Sequence, residues 1–294
     1  MSTNTDTRTG AIVVGVDGSP LGEHAVLWAA EEARLQNRSL LLVHAIEPVS
    51  ANQLAWLSSA GIPPHQVNRE AQDVAARVIE RARTLADDRR PAERVETEIR
   101  LGDPRRVLLD HAERAPLVVV GTRGHGRVAG LLLGSVSGAV LRHATCPVAV
   151  VRPGPAESRG VLLGVDLSLA GLPAVEAAFG QASQRRLPLT VVHCLWDTLI
   201  GRDAWAHLDP SDPDADEARR LVAETLAGAQ EKYPDVAVRV EITRGAIEDC
   251  LVDLSQRHEL LVIGRSAGRL RHLTWGAHAT TIAEHAHSPV LVVP

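Results

Sequence analysis

Gly121-Thr122-Arg123-Gly124, followed after nine residues by Gly134-Ser135, is the stretch whose residue types and spacing are best suited to chemistry. The apolar run Leu117-Val118-Val119-Val120 precedes it, and a helical pattern over 134–144 follows. A strand, a glycine-rich turn and a helix start bring unpaired backbone N–H groups and the positive end of a helix dipole to one place. Such a place holds phosphate groups, so the motif points to a bound nucleotide.

The elements that must position this turn occur twice. Ile12-Val13-Val14-Gly15-Val16-Asp17-Gly18-Ser19 returns 149 positions later as Val161-Leu162-Leu163-Gly164-Val165-Asp166-Leu167-Ser168, and Leu41-Leu42-Val43-His44 returns at the same offset as Thr190-Val191-Val192-His193. Val119-Val120-Gly121 is echoed by Val262-Ile263-Gly264, and Cys146-Pro147-Val148 by Ser288-Pro289-Val290. A period this long exceeds the roughly 20 to 50 residues of solenoid repeats and signals duplicated domains. The boundaries expected are a disordered tail over 1–9, a first domain over 10–152, a linker over 153–159 and a second domain over 160–294.

Composition fits two globular domains: 45% of the 294 residues are hydrophobic and 23% are charged. A net charge of -5 leaves no basic excess to displace counterions from a nucleic-acid backbone. No apolar run approaches the roughly 18 residues of a membrane span, and the N-terminal residues lack the apolar stretch of a secretory signal. Cys146, Cys194 and Cys250 have no metal-like spacing and sit in or beside apolar segments, the pattern of reduced, packed thiols in a cytoplasmic protein.

In the first repeat, strand candidates at 11–17, 39–46, 94–101, 117–121 and 147–151 alternate with helical patterns at 20–36, 66–87, 103–114 and 134–144. The strands are apolar without polar alternation, as strands buried on both faces are. Asp103-Pro104 supplies a helix N-cap with proline at the first helical position. This predicts an α/β fold, two tandem doubly wound domains, each a five-stranded parallel sheet with helices on both faces. In such sheets ligands lie beyond the carboxyl ends of the strands near the topological switch, where Asp17, Ala45 and Gly121 all fall.

Gly15-Val16-Asp17-Gly18-Ser19, the strand ending Val43-His44-Ala45, the glycine-serine spacing over 121–135 and the terminal strand after Cys146-Pro147 together resemble the universal stress protein family, in its tandem form. The resemblance spans residues 10–294 and implies a Rossmann-like fold of the adenine nucleotide alpha hydrolase type. Members that carry this motif bind ATP, so the first domain resembles the ATP-binding branch, with Mg2+ as a candidate companion of the nucleotide. Gly121 and Gly124 would let backbone pass close to a phosphate. Gly134 and Ser135 would donate from the helix start, with Val136 and Ser137 continuing its first turn. Thr122, His125 and Gly126 belong to the same loop, in which Arg123 and Arg127 could neutralise charge. Asp17 would accept from ribose or adenine or hold a metal, and Gly15, Ala45 and Val120 would offer small or apolar surface to the base.

The second repeat keeps Gly164, Asp166, Gly264, Gly268 and Gly276, with Arg265 and Ser266 in its loop, but departs from the motif. Its loop is one residue shorter, Ala267 stands where Gly124 stood, and Ala277 stands where Ser135 stood. Losing the hydroxyl removes a donor worth about 1 kcal/mol, or up to about 3 kcal/mol to a charged acceptor.

Catalytic motifs are missing from the sequence. The only lysine is Lys232, which excludes a Walker-type phosphate loop and kinases that use a strand lysine. His44 and His193 read as packed, hydrogen-bonded histidines, and His125, His272, His278, His285 and His287 do not have metal-motif spacing. Trp56, Trp196, Trp205 and Trp275 fall near strand ends, where one could cover adenine. The readings that remain are a nucleotide-binding stress-response or signalling module, a slow metal-assisted ATPase, and a nucleotide-independent scaffold. The terminal strands of the two repeats, short and apolar, are expected to face each other as an internal pseudo-dimer, with a homodimer in addition.

Overall fold

Apolar runs with no polar alternation can be buried on both faces, and in the computed structural model of the chain they become parallel strands. The structure describes residues 10–61, 63–87, 94–122, 133–155, 159–195, 205–209, 212–265 and 275–294. Contacts divide the chain into two units, Met1–Cys146 and Pro147–Pro294.

The first unit runs β1 (Ile12–Gly15), α1 (Pro20–Leu35), β2 (Leu40–Ile46), α2 (Ala51–Ser59), α3 (Pro64–Asp87), β3 (Val95–Leu101), α4 (Pro104–Ala112), β4 (Val118–Gly121) and α5 (Ser135–His143). Its strands lie in the order β3-β2-β1-β4, and every paired neighbour is parallel. Parallel neighbours need crossovers, which the helices supply. The order reverses between β1 and β4, so the carboxyl ends of those two strands flank the switch point. Ile12, Val14, Leu40, Leu42, Val118 and Val119 are wholly buried, each worth roughly 1.5–3 kcal/mol of transfer free energy. Ala75, Ile79, Ala82 and Ala86 are buried at helical spacing and form the inner stripe of α3.

Local sequence fixes where the helices start. Ser19 caps α1 by accepting from the Gly22 N–H at 3.1 Å, with Pro20 at the first helical position. Asp103 caps α4 through the Arg105 N–H at 2.9 Å, as its Asp-Pro pair predicts. Helix α2 falls where the sequence reading places no element. Its start is a reciprocal capping box between Ser50 and Gln53, a local signal that a search for apolar periodicity passes over.

The second unit contains β5 (Val148–Val151), β6 (Val161–Val165), a 3-10 turn (Leu169–Gly171), α6 (Leu172–Arg185), β7 (Leu189–Leu195), β8 (Trp205–His207), α7 (Pro213–Lys232), β9 (Val238–Gly245), α8 (Ile247–Ser255), β10 (Leu260–Gly264), α9 (Trp275–His285) and β11 (Val290–Val293). The strand order is β5-β11-β10-β6-β7-β9-β8. From β11 to β9 the pairs are parallel, with the switch point between β6 and β10. Two antiparallel strands flank this parallel set. β8 pairs with β9, and β5 pairs with β11 in the register Val150 to Val290 and Val148 to Val292. Strand β8 is absent from the sequence reading because three residues, Trp205-Ala206-His207, carry no usable periodicity. The contact boundary after Cys146 sets β5 in the second unit, although its residues belong to the first sequence repeat. Arg152, just past β5, donates to the carbonyls of Ala283, Glu284 and Ala286 and so closes the carboxyl end of α9.

Candidate functional site

In the first unit β1 runs into Val16-Asp17-Gly18-Ser19, and the chain must turn sharply to enter α1. Gly18 makes the turn at φ +79°, a conformation that costs a residue with a Cβ. One carboxylate oxygen of Asp17, Oδ1, accepts from both the Ser19 N–H at 3.0 Å and the Ser19 hydroxyl at 2.7 Å. The Ser19 hydroxyl in turn accepts from Gly22. Asp17, Ser19 and the first turn of α1 therefore form one hydrogen-bonded chain, which orients the Asp17 carboxylate at the switch point. His44, from the carboxyl end of β2, donates its Nδ1–H to the Val16 carbonyl at 2.6 Å, and the carbonyl acceptor fixes that tautomer.

Across the switch point β4 ends at Gly121. A Cβ on Gly121 would come within 3.0 Å of the Leu21 carbonyl oxygen and 3.3 Å of the Gly22 nitrogen, so this glycine lets β4 pass directly under the first turn of α1. The sequence reading gave Gly121 to phosphate contact; the structure supplies a packing reason. Gly15 likewise has a packing reason, since its Cβ would lie 2.9 Å from Leu108 of α4. Val120 is 3% exposed and belongs to the sheet core. Ala45 is half-buried near the end of β2.

Helix α5 opens at Gly134, which makes no side-chain cap. The Gly134 N–H donates to the Thr122 carbonyl at 2.7 Å, and the Ser137 hydroxyl donates to the Gly121 carbonyl at 2.6 Å. These two bonds lock the start of α5 to the end of β4. Ser137 is thereby committed to structure, whereas Ser135 is exposed at the first helical position. The first-turn N–H groups of a helix have no partner within it, and the N-cap residue Gly134 has no side chain to take their place. Asp17, Gly121, Thr122 and the start of α5 thus lie together at the carboxyl ends of β1 and β4, the switch point of the sheet. Arg123, Gly124, His125, Gly126 and Arg127 lie outside the described residues.

The second unit repeats the acidic turn with one change. Asp166 Oδ1 accepts from the Ser168 N–H at 3.0 Å and the Ser168 hydroxyl at 2.8 Å, and His193 Nδ1 donates to the Val165 carbonyl at 3.0 Å. Leu167 occupies the position of Gly18 and takes φ +58°, strained for a side-chain-bearing residue. Ser168 makes no cap; a 3-10 turn intervenes and α6 starts later than α1 does. Gly164 faces Leu251, its Cβ position 2.7 Å away, in the way that Gly15 faces Leu108. Gly264 is looser than Gly121, with Ala174 Cβ at 3.7 Å as its nearest neighbour. Arg265 donates its N–H to the Val293 carbonyl. Gly276 lies in the first turn of α9, and Ser266 and Gly268 are outside the described residues.

Burial drives His193 below the ordinary histidine pKa, opposed by its bond to Val165 and by the Asp166 charge. The remaining candidates scatter. His278 pairs with Glu248, His285 bonds the Thr281 carbonyl and Trp205 donates to Asp253 at 2.9 Å. Trp56 stands 66% exposed on α2. His125, Trp196 and His272 are outside the described residues. Cys146 and Cys250 are buried free thiols and Cys194 is half-buried. Among the described residues no group of three His, Cys, Asp or Glu side chains could hold a metal ion. The sequence reading quoted Ser19 in its motif without giving it a role and missed Gly22; these two residues join Asp17 to α1. Their signal was available: Gly171 recurs 149 positions after Gly22, and a Cβ at either glycine would strike the aspartate of its turn, Asp17 at 2.4 Å or Asp166 at 2.7 Å.

Two parallel-sheet units, each with an aspartate turn and a glycine-ended strand at a topological switch, define a tandem doubly wound α/β protein. The chain belongs to the universal stress protein family, whose model matches residues 9–152 and 157–294. Universal stress protein Rv2623 of Mycobacterium tuberculosis is 37% identical over 96% of this chain and 95% of its own length. A universal stress protein of Mycolicibacterium smegmatis is 35% identical over 96% of each. The fold is shared with the crystal structure of a universal stress protein from Archaeoglobus fulgidus, at TM-score 0.67 and 19% identity, covering 97% of this chain and 96% of that one. No described helix is long and apolar enough to cross a membrane.

Proposed function

We propose that the first unit binds an adenine nucleotide, ATP, at the crevice between the carboxyl ends of β1 and β4, and that the protein acts as a nucleotide-binding stress-response module. The observation that carries this reading is the start of α5. It opens without a side-chain cap, presents the exposed Ser135, and is tied by Gly134 and Ser137 to the end of β4 facing the Asp17 turn. That donor set fits a phosphate chain: the first-turn N–H groups, which the helix itself does not bond, the helix dipole and a hydroxyl, held in place by the ties to β4. The sequence spacing adds Gly124 to the cradle and Arg123 and Arg127 beside it. Asp17 Oδ1 is engaged by Ser19, and Oδ2 would accept from ribose or base. Magnesium would enter with the phosphates, which supply its oxygen ligands. A cytoplasmic location and a homodimer belong to the same reading, the first supported by three free thiols.

Isothermal titration of the full chain with ATP tests it. Wild type binds, and Gly124→Glu, which sets a carboxylate where the phosphates lie, loses at least about tenfold in affinity while its thermal unfolding is unchanged. Equal affinity in the two proteins removes the phosphate assignment.

A further inference from the structure

The connection from the second strand of each unit to the long helix after it has one length and two forms. Residues 47–63 join β2 to α3, and residues 196–212 join β7 to α7. At the same offset of 149 that relates the aspartate turns, Ile46 corresponds to Leu195, Pro64 to Pro213 and Ala55-Trp56 to Ala204-Trp205. Yet Trp56 stands on helix α2, whereas Trp205 opens strand β8.

Strand β8 has a defined seat. It runs antiparallel along β9, with Trp205 opposite Gly245, Ala206 opposite Arg244 and His207 opposite Thr243. Its anchor is the Trp205 indole, whose Nε1–H donates to the Asp253 carboxylate of α8 at 2.9 Å. The first unit carries the parts of the same seat. Leu101-Gly102 corresponds to Arg244-Gly245 at an offset of 143, and at that offset Asp110 corresponds to Asp253. The two aspartates hold equivalent positions in helices of nine residues each, α4 and α8. β3, the counterpart of β9, stands at the end of its strand order, and Leu101 at its close is 72% exposed. Asp110 is exposed and has Arg100 at 3.5 Å. A carboxylate accepts several bonds, so the Arg100 contact leaves room for an indole N–H.

The helical form of 51–59 has modest support. Nine residues are short for a helix that must stand on its own propensity. Trp56 is 66% exposed, Ala55 is exposed and Leu57 is half-buried. A local device favours the helix: the capping box of Ser50 and Gln53. The second connection has Leu199 and Arg202 at the corresponding positions, which cannot form one. The same connection, between the same anchor points, therefore becomes a helix where the box is present and an edge strand where it is not.

We infer that residues 51–59 are a strap with two seats, the helix α2 and an antiparallel strand along β3 anchored by Trp56 on Asp110. The register of β8 then sets Trp56 opposite Gly102, Leu57 opposite Leu101 and Ser58 opposite Arg100. Residues directly opposed across an antiparallel pair share a face, so Leu57 covers Leu101. Closing the strap occupies pairing groups at the end of β3 and covers apolar surface; opening it bares Trp56 and Leu101, as in this structure. The strap does not depend on the nucleotide reading.

Disulfide trapping in the full chain tests it. Leu57→Cys with Leu101→Cys sets two thiols opposite each other in the strand seat. Leu57→Cys with Thr97→Cys moves the second thiol to the same face of β3, about 13 Å further along. With oxidised glutathione as oxidant and peptide mapping by mass spectrometry, the 57–101 bond forms at least about tenfold faster than the 57–97 bond. Ser50→Ala, which removes the cap, raises the 57–101 rate about fivefold. In that background Trp56→Phe or Asp110→Ala, both at exposed positions, lowers it about tenfold by removing one end of the anchoring bond. A segment that merely frays joins 57 to 101 without regard to Trp56 or Asp110. A rate indifferent to Asp110→Ala, equal rates for the two pairs, a rate unchanged or lowered by Ser50→Ala, or no bond at either pair would each overturn the inference.

Discussion

Placing alanine at Gly121 or at its counterpart Gly264 separates two glycines that look alike in sequence. At Gly121 the added Cβ meets backbone, the Leu21 carbonyl oxygen at 3.0 Å, its carbon at 3.1 Å and the Gly22 nitrogen at 3.3 Å. Backbone inside a capped helix turn cannot swing aside as a side-chain tip can, so the strain is taken by α1, β4 or both. Overpacking of this kind costs about 1–3 kcal/mol, offset by about 0.4–1 kcal/mol from the smaller entropy of the unfolded chain. The net expectation for Gly121→Ala is a loss of about 1–2 kcal/mol. Among the described residues the Cβ at Gly264 meets Ala174 Cβ at 3.7 Å and the Gly171 Cα at 4.0 Å, ordinary contact distances. Gly264→Ala is therefore neutral or stabilising by about 0.5 kcal/mol. Urea unfolding followed by circular dichroism reads the contrast: with a slope near 2 kcal/mol/M, the two midpoints should differ by about 1 M. Because the Gly121 carbonyl also receives the Ser137 hydroxyl, Gly121→Ala should in addition weaken ATP binding. Equal midpoints for the two alanine variants would refute the packing argument, and a stabilised Gly121→Ala would reverse it.

Arg152→Met keeps the side chain's length and removes the guanidinium that closes the carboxyl end of α9, so the second unit should lose about 1.5–3 kcal/mol; an unchanged melting curve counts against that cap. His193 has a folded pKa below its ordinary value of 6.5, so the unfolded chain binds its proton first as pH falls. Its contribution to stability is complete above about pH 6.5 and is lost on acidification toward the folded pKa, and His193→Gln should flatten the fall in urea midpoint between about pH 7.5 and 5.5 relative to wild type. Burial pushes the Cys250 thiol up to about 12, so iodoacetamide at about pH 8 should modify half-buried Cys194 first and reach Cys250 only on unfolding. Mass spectrometry finding both residues alkylated at the same rate in the native protein would contradict that order. Replacing strained Leu167 with Asn, which tolerates left-handed backbone, should not destabilise the second unit although it removes apolar surface; a loss above about 1 kcal/mol would show that Leu167 earns its place by packing.

The parallel strands of both units and the starts of α1 and α4 were legible in the sequence, because each is set by residues close together in the chain. Unbroken apolar runs mark strands buried on both faces, as β1 and β4 largely are, and the Asp103-Pro104 pair satisfies a helix end locally. β3 departs from that expectation, because Val95-Glu96-Thr97-Glu98 alternates and the strand is exposed over much of its length, Leu101 by 72%. The duplication was legible for the same reason, since Asp17 and Asp166 each bond to the serine two residues on without help from elsewhere. Which glycine serves packing was not legible. Gly121 and Gly264 sit in similar strings, and only the approach of α1 over the end of β4 gives one of them a neighbour that a Cβ would strike. Nor could spacing tell Ser135 from Ser137: the helix turns one hydroxyl outward and the other onto the Gly121 carbonyl, a partner 16 residues back. The antiparallel pairing of β5 with β11 joins segments far apart in the chain. Such placements are decided by tertiary packing, because the entropy of bringing distant segments together is recovered only when their surfaces meet.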